Sequence, residues 1–502
     1  MKYGKLLAIL LAVALLAGCG NTRQTPETTV KDFTVDGEAV GTDPSAAVYM
    51  ANDIIYYEAG KDFTYGEGET RDAHTAEEAA AHRVVHITKP GTYRLSGTLS
   101  KGQVAVDLGS DAKKDPNAVV TLILDGVDVT CEIAPAVIFY SVYECGDDEN
   151  PTKDVDTSAA GANVILETGS ENKIDGSYVA KIYKPESVEL NAAGTKVESA
   201  KKLHKYDGAF YSKMSMNIGG EGSLSIRAAN EGLDSEMHLT INGGDIKIQS
   251  GNDGINTNED GVSVTTVNGG RLSILVTGET GEGDGIDSNG WLVINGGTVT
   301  AAACAKSADA GIDSDMGIHI NGGTVIATGS MLDRIEEGGQ TYAVFSFAQK
   351  QEGEALITME DESGTAVCNV IPMNAYSILI FSSPDLKPGT YTLWSDGQQL
   401  AGGAGGFGGR PGGMKPDGMQ RPGKGDGDWQ PPEGFDPSQR PEGMERPDKQ
   451  PPEGQRPEKP QDGDRGQKDF LENSTATPEF VIVQGGNQFS SIVVWMADSE
   501  VV

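Results

Sequence analysis

Ile241-Asn242-Gly243-Gly244-Asp245-Ile246-Lys247-Ile248 decides the fold, because it recurs. Its head returns as Val267-Asn268-Gly269-Gly270, Ile294-Asn295-Gly296-Gly297 and Ile320-Asn321-Gly322-Gly323, with the asparagines 26, 27 and 26 residues apart. Alternating apolar residues follow each copy: Ile246 and Ile248, Leu272 and Ile274, Val299 and Ala301, Val325 and Ala327. A period of two marks a strand with one buried face. Ile218-Gly219-Gly220, with Leu224 and Ile226, reads as a degenerate earlier copy. A second phrase falls inside the same units: Glu231-Gly232-Leu233-Asp234-Ser235, Asp253-Gly254-Ile255-Asn256-Thr257, Asp284-Gly285-Ile286-Asp287-Ser288 and Ala310-Gly311-Ile312-Asp313-Ser314. Helical periodicity is missing and Gly, Asn and Thr dominate, so each unit holds two or three short strands joined by Gly-rich bends. The unit is too short for a propeller blade of about 40 residues, lacks a leucine ladder and does not follow a nonapeptide. It fits one turn of an all-β solenoid. With equivalent residues stacked about 4.8 Å apart, Ile241, Val267, Ile294 and Ile320 would form an apolar ladder inside. Asn242, Asn268, Asn295 and Asn321 would form an amide ladder at one bend, like the stacked amides of cross-β structures.

Outward from this block the signals weaken. Thr92-Tyr93-Arg94-Leu95-Ser96-Gly97, Val119-Val120-Thr121-Leu122-Ile123-Leu124-Asp125-Gly126 and Asn163-Val164-Ile165-Leu166-Glu167 read as earlier, less regular turns, so the solenoid is expected over 83–400. Residues 20–82 read as linker and N-terminal cap, with a short Glu/Ala segment at 76–82 that could be helical; open solenoid ends need covering. Residues 401–468 hold 12 of the 23 prolines, 17 glycines, and 11 basic against 12 acidic side chains, a nearly neutral segment expected to be disordered. It reads equally as a wall-spanning spacer or a tolerated loop. Within 469–502, Phe480 to Val483 and Ser491 to Trp495 resume β pattern and are expected to pack back on the solenoid.

Lys2 and Lys5 precede twelve uninterrupted apolar residues, 6–17, and then Leu16-Ala17-Gly18-Cys19. That is an export signal ending in a bacterial lipoprotein box, so 1–19 reads as a lipoprotein signal peptide with cleavage before Cys19 and lipidation of its thiol. An ordinary signal peptide with a chance cysteine is the alternative. The lipoprotein reading puts the mature chain outside the cytoplasm, anchored to the membrane and exposed at the cell surface. Cys131, Cys145, Cys304 and Cys368 are too sparse for a disulfide scaffold and lack paired metal spacing; a Cys131–Cys145 bridge and buried free thiols are both compatible with an oxidising exterior.

The formal charge is 39 − 74 = −35, which excludes a nucleic-acid binder and direct docking on anionic lipid. Residues 206–330 carry 16 acidic and 5 basic side chains, a net −11, with the acids concentrated in the second phrase. Like charges stacked about 4.8 Å apart repel by roughly 3 to 4 kcal/mol at an effective dielectric near 20, and by about 1 kcal/mol when well solvated. Glu231, Asp234, Asp253, Asn256, Asp284, Asp287, Asp309 and Asp313 are therefore candidate ligands for Ca²⁺, which accepts six to eight hard oxygens with tolerant geometry. The competing explanation is that Asp and Asn tolerate tight bends and hydrogen-bond their own backbone. Acids on both sides of the Gly-Ile pair are more than a bend requires. Asn256 supplies a neutral oxygen, and Ala310 interrupts one acidic column.

The lipoprotein box, Leu122-Ile123-Leu124-Asp125-Gly126, Asp207-Gly208-Ala209-Phe210-Tyr211-Ser212, the Asn-Gly-Gly repeats and the Asp-Gly-Ile-Asp-Ser bends together resemble the bacterial surface family of carbohydrate-binding domain-containing proteins, over about residues 83–400. The resemblance implies a right-handed parallel β-helix similar to pectate lyases, calcium in the repeat bends, and binding of plant cell-wall polysaccharide such as polygalacturonate or cellulose. The chain departs from a plain repeat at the insertion 278–283, at Asn256 and in the Pro/Gly segment. An acidic protein should repel polygalacturonate, but calcium with open coordination positions could bridge protein and uronate carboxylates. Trp291, outward by alternation with Leu292 and Ile294, could stack on a sugar, and Lys247 and Arg271 should also face outward. The expectation is a monomeric, non-catalytic polysaccharide binder. A lyase needs a basic side chain beside calcium, and Lys213, Arg227, Lys247, Arg271 and Lys306 are the core candidates, none marked as catalytic. A structural adhesin using calcium for folding alone is the third possibility.

Overall fold

The structure is a computed structural model that describes residues 31–52, 80–177, 189–190, 192–193, 197–199, 206–404 and 476–495. The signal peptide with Cys19, the start of segment 76–82 and most of the Pro/Gly segment lie outside the described residues. Apart from a 3-10 turn at Ala112–Lys114, the described elements are strands.

Three parallel ladders account for the repeats. The first gathers the strands that lead into the Asn-Gly-Gly bends: Ala162–Leu166, Met216–Gly220, Leu239–Ile241, Val264–Val267, Trp291–Ile294 and Gly317–Ile320. The second gathers those that leave it: Glu171–Gly176, Ser223–Ala228, Asp245–Ser250, Arg271–Val276, Thr298–Ala302 and Thr324–Gly329. The third runs from Arg83–Ile87 through Gly102–Asp107, Val137–Ser141, Gly208–Ser212, Glu231–Ser235 and Ile255–Thr257 to Ile286–Ser288, with a last bridge to Ile312. Ile241, Val267, Ile294 and Ile320 are Cα partners and at most 1% exposed. Leu233, Ile255, Ile286 and Ile312 make the same buried column on the third ladder. Each buried aliphatic side chain contributes about 1.5–3 kcal/mol, as an upper bound.

The bends explain the glycines. The second Gly of each Asn-Gly-Gly has φ of +96°, +80°, +79° and +80° at 244, 270, 297 and 323, a region that a Cβ disfavours. The amide ladder is present: Asn268 Nδ2 donates to Asn242 Oδ1 at 2.9 Å, Asn295 to Asn268 at 2.9 Å and Asn321 to Asn295 at 2.8 Å. It begins at Asn242 because the residue one unit earlier is Gly219.

Parallel stacking stops sooner than the sequence led us to expect. Thr324–Gly329 pairs antiparallel with Tyr376–Ser382, and the strands from 342 to 404 are joined by antiparallel hairpins. Gly486–Val494 returns not to the repeats but to this unit, pairing with Tyr342–Gln351 and Gln398–Ala404. A second core forms there around Phe345, Phe480 and Phe489, with ring centroids 5.1–5.5 Å apart. The reason is that period-two alternation is identical for parallel and antiparallel strands. At the other end Val48–Ala51 pairs antiparallel with Arg83–Ile87, so both ends of the stack are covered by antiparallel strands.

Candidate functional site

The third ladder positions the acids. Asp234, Asn256 and Asp287 are Cα partners in successive units, and the bridge from Ile286 to Ile312 carries the column on to Asp313, whose N–H donates to the Ile286 carbonyl at 2.7 Å. Three positions earlier in chain order a second column holds Glu231, Asp253 and Asp284. The amides of Gly232, Gly254 and Gly285 reach the carbonyls of Asp253, Asp284 and Ala310 at 3.0 Å. The glycine between the columns is a steric requirement. A Cβ on Gly254 would lie 2.1 Å from Ile274 Cγ2 and 2.5 Å from the Gly285 carbonyl oxygen, and one on Gly232 would lie 2.3 Å from Ile248 Cγ2.

Part of the acid content serves the bend. Asp253 Oδ1 accepts the Asp284 N–H at 2.6 Å, and Asp284 Oδ1 accepts the Ala310 N–H at 2.6 Å, so one oxygen of each links its unit to the next. Asp309 stands off both columns, with Oδ2 accepting from the Gly283 N–H at 2.7 Å and from the Ser307 hydroxyl. The rest is not explained by turns. Asp234 is fully buried; its Oδ1 accepts from Asn258 Nδ2 at 2.7 Å, while its Oδ2 has no hydrogen-bond partner. Asn256, 8% exposed, likewise leaves Oδ1 unpartnered. A buried oxygen without a partner is costly unless something occupies it.

Electrostatics point the same way. Burial, with Glu231, Glu236 and Asp207 nearby, holds the Asp234 carboxyl well above the usual carboxylate range. Burial raises Asp253 strongly too, reinforced by Asp287, Glu231 and Asp284. Asp313 is pushed up to about 9 by burial, then by Asp284, Asp333 and Asp287. Asp207, Glu236 and Asp333 thus extend the site. Asp207 stands one position before the acidic column, because Gly208 aligns with Glu231, and Glu236 and Asp333 sit in no repeated phrase. Among the described residues no three His, Cys, Asp or Glu side chains gather tightly enough to hold an ion by themselves. The donors are nevertheless all hard oxygens, and the unpartnered Asp234 Oδ2 and Asn256 Oδ1 in adjacent units fit a cation completed by neutral oxygens.

A model of the carbohydrate-binding domain-containing protein family matches residues 81–355. The chain belongs to this family. A carbohydrate-binding domain-containing protein of Acetivibrio thermocellus (strain ATCC 27405) is 28% identical over 174 residues, covering 34% of this chain and 47% of that protein. The chain therefore spans about half the length of the curated relative it matches. A solved structure described as a polysaccharide lyase-like protein from C. thermocellum, a gadolinium derivative, aligns over 50% of this chain and 81% of its own at 23% identity and a TM-score of 0.32.

Within this family member the other candidates are scattered. Trp291 is half-buried on the first ladder, whereas Lys247 and Arg271 are exposed on the second, so the three do not share a strand ladder. Lys247 Nζ lies 4.0 Å from Asp245 and Arg271 aligns with Asp245 and Thr298. Lys213 Nζ sits 4.5 Å from the Tyr140 ring centroid, Arg227 3.6 Å from Asp175, and Lys306 Nζ donates to the Gly278 carbonyl at 2.8 Å. Among the described residues Cys131, Cys145, Cys304 and Cys368 are free thiols; Cys131, for which a bridge to Cys145 was open, is buried.

Proposed function

We propose that this protein is a calcium-dependent polysaccharide-binding protein of the bacterial cell surface that does not cleave its ligand. The carrying observation is the paired acidic columns of the third ladder, where buried oxygens of Asp234 and Asn256 lack partners beside stacked carboxylates. Glu231, Asp234, Asp253, Asn256, Asp284, Asp287 and Asp313 would hold calcium, with Asp309 supporting the bend. Bound calcium would neutralise the columns and offer open positions to uronate carboxylates. Family membership supports a carbohydrate ligand, here plant cell-wall polysaccharide, polygalacturonate or cellulose. We read the stack as a right-handed parallel β-helix, the monomeric chain being held to the membrane by lipid on Cys19.

The second reading is a polysaccharide lyase, for which a base must stand beside the metal. Engagement of Lys213, Arg227 and Lys306 by other groups favours the binder. Retention on immobilised polygalacturonate, with and without chelator and with ultraviolet detection of unsaturated product, separates the readings. Calcium-dependent retention without product is expected. Product formation would establish the lyase, and calcium-dependent melting with no retention would leave a structural adhesin.

A further inference from the structure

The outward side chains of the first ladder form a row of their own, remote in the repeat from the acidic bends. Asn163, Asn217, Thr240, Thr266, Val293 and His319 are Cα partners in successive units. Outward positions of a strand at a protein surface are ordinarily wet, yet Thr240 is 6% and Val293 4% exposed. The cover is a strap, residues 153–158. Thr157 Oγ1 donates to Asn217 Oδ1 at 2.8 Å and lies 2.8 Å from Thr240 Oγ1, and Asn217 Nδ2 donates to the Thr157 carbonyl at 2.8 Å. At the strap's other end the charges of Lys153 and Asp154 act on His319. The strap therefore runs along the stack from the unit of Asn217 to that of His319.

Between strap and amide ladder lies an open groove of about 340 Å³. Thr266 and Val293 belong to its floor, and Asn242, Asn268, Asn295 and Asn321 to one wall. Asn268 and Asn295 each use one N–H and the carbonyl oxygen within the ladder, which leaves a second N–H per amide at every rung. At about 4.8 Å per rung, four amides span roughly 14 Å, the length of about three sugar rings. The charged groups are Lys153, Asp154 and Asp156, and Lys153 Nζ donates to Asp154 Oδ1 at 2.5 Å. Two carboxylates against one ammonium disfavour a uronate chain but accept hydrogen bonds from neutral hydroxyls. Among the described residues no aromatic side chain lines the groove, so recognition would rest on hydrogen bonds repeated rung by rung.

We propose that this groove binds a single uncharged, unbranched polysaccharide strand lying along the stack, in register with the amide ladder, at a site separate from the acidic columns. The proposal rests on the polysaccharide-binding reading of the whole protein but not on its metal. A neutral strand should therefore bind without calcium, and a uronate strand only with it.

Titration calorimetry of the intact protein with cellohexaose, xylohexaose and mannohexaose, each in excess chelator, tests this. At least one should bind, with an affinity unchanged by calcium. The double substitution Asn268→Ser/Asn295→Ser should weaken that binding at least tenfold while calcium-dependent retention on polygalacturonate persists. Because removing ladder bonds could disturb the stack, Thr266→Arg provides a second variant that fills the floor with the ladder intact, and it should abolish binding of the same oligosaccharide. Absence of binding by all three oligosaccharides, loss of it on chelation, or full affinity in both variants would overturn the groove. If polygalacturonate retention survives those results, the general reading stands without it; if retention is also absent with calcium, that reading fails.

Discussion

At the scale of single residues, Asp234 is the most consequential side chain, because it is fully buried, faces other carboxylates and keeps one oxygen unpartnered. Asp234→Asn preserves shape and removes charge. In metal-free protein it should raise the melting temperature, and it should reduce the gain in melting temperature on adding calcium; scanning calorimetry with and without chelator checks both. His238 is the opposite kind of buried group. Burial depresses its pKa, opposed by Glu144, and a Cβ on Gly146 would lie 2.7 Å from its Nε2. Since the unfolded chain takes up this proton first, the contribution of neutral His238 to stability is present above its ordinary value of 6.5 and is lost as pH falls through the depressed one. His238→Gln should flatten the acid side of the stability profile below that value, as measured by urea unfolding at a series of pH values. Burial also pushes the Cys131 and Cys368 thiols up to about 12 and Cys145 to about 11, so all three should resist thiol reagents at neutral pH until the protein unfolds. Labelling followed by mass spectrometry reads this directly.

At the scale of elements, repetition made the structure legible. A residue type that recurs at one rung of every unit is there because its neighbours above and below must match it. That logic held for the Asn-Gly-Gly bends, for the inward Ile/Val columns and for the alignment of Asp234, Asn256 and Asp287. Asn295 makes two ladder bonds and Asn242 one, so Asn295→Ala should cost about 1–2 kcal/mol and Asn242→Ala about half that, by chemical denaturation. Gly254→Ala should cost more than either, because the added carbon meets a packed isoleucine and a carbonyl of the next unit. Features used once were not legible. The switch to antiparallel pairing after Gly329 leaves no trace in alternation, and the strap at 153–158 carries no motif. Asp309 reads as one more repeat acid, but it lies opposite the insertion 278–283 and turns to hold Gly283.

For the molecule as a whole the formal charge is −35, and within 206–330, which carry a net −11, the regularity of the repeats forces like charges into line. The antiparallel strands at each end cover the exposed edges of the stack, so the repeats can stay uniform between them. Removing divalent cations should therefore loosen the repeats before the end units. The effect should be larger at low ionic strength, where the columns are least screened. The most direct test is calorimetric titration of calcium into chelator-stripped protein, set beside the same titration of an Asp234→Asn/Asp287→Asn variant. Saturable binding in the first and loss of at least one site in the second is the predicted result; no binding, or binding unchanged by the two substitutions, would contradict it.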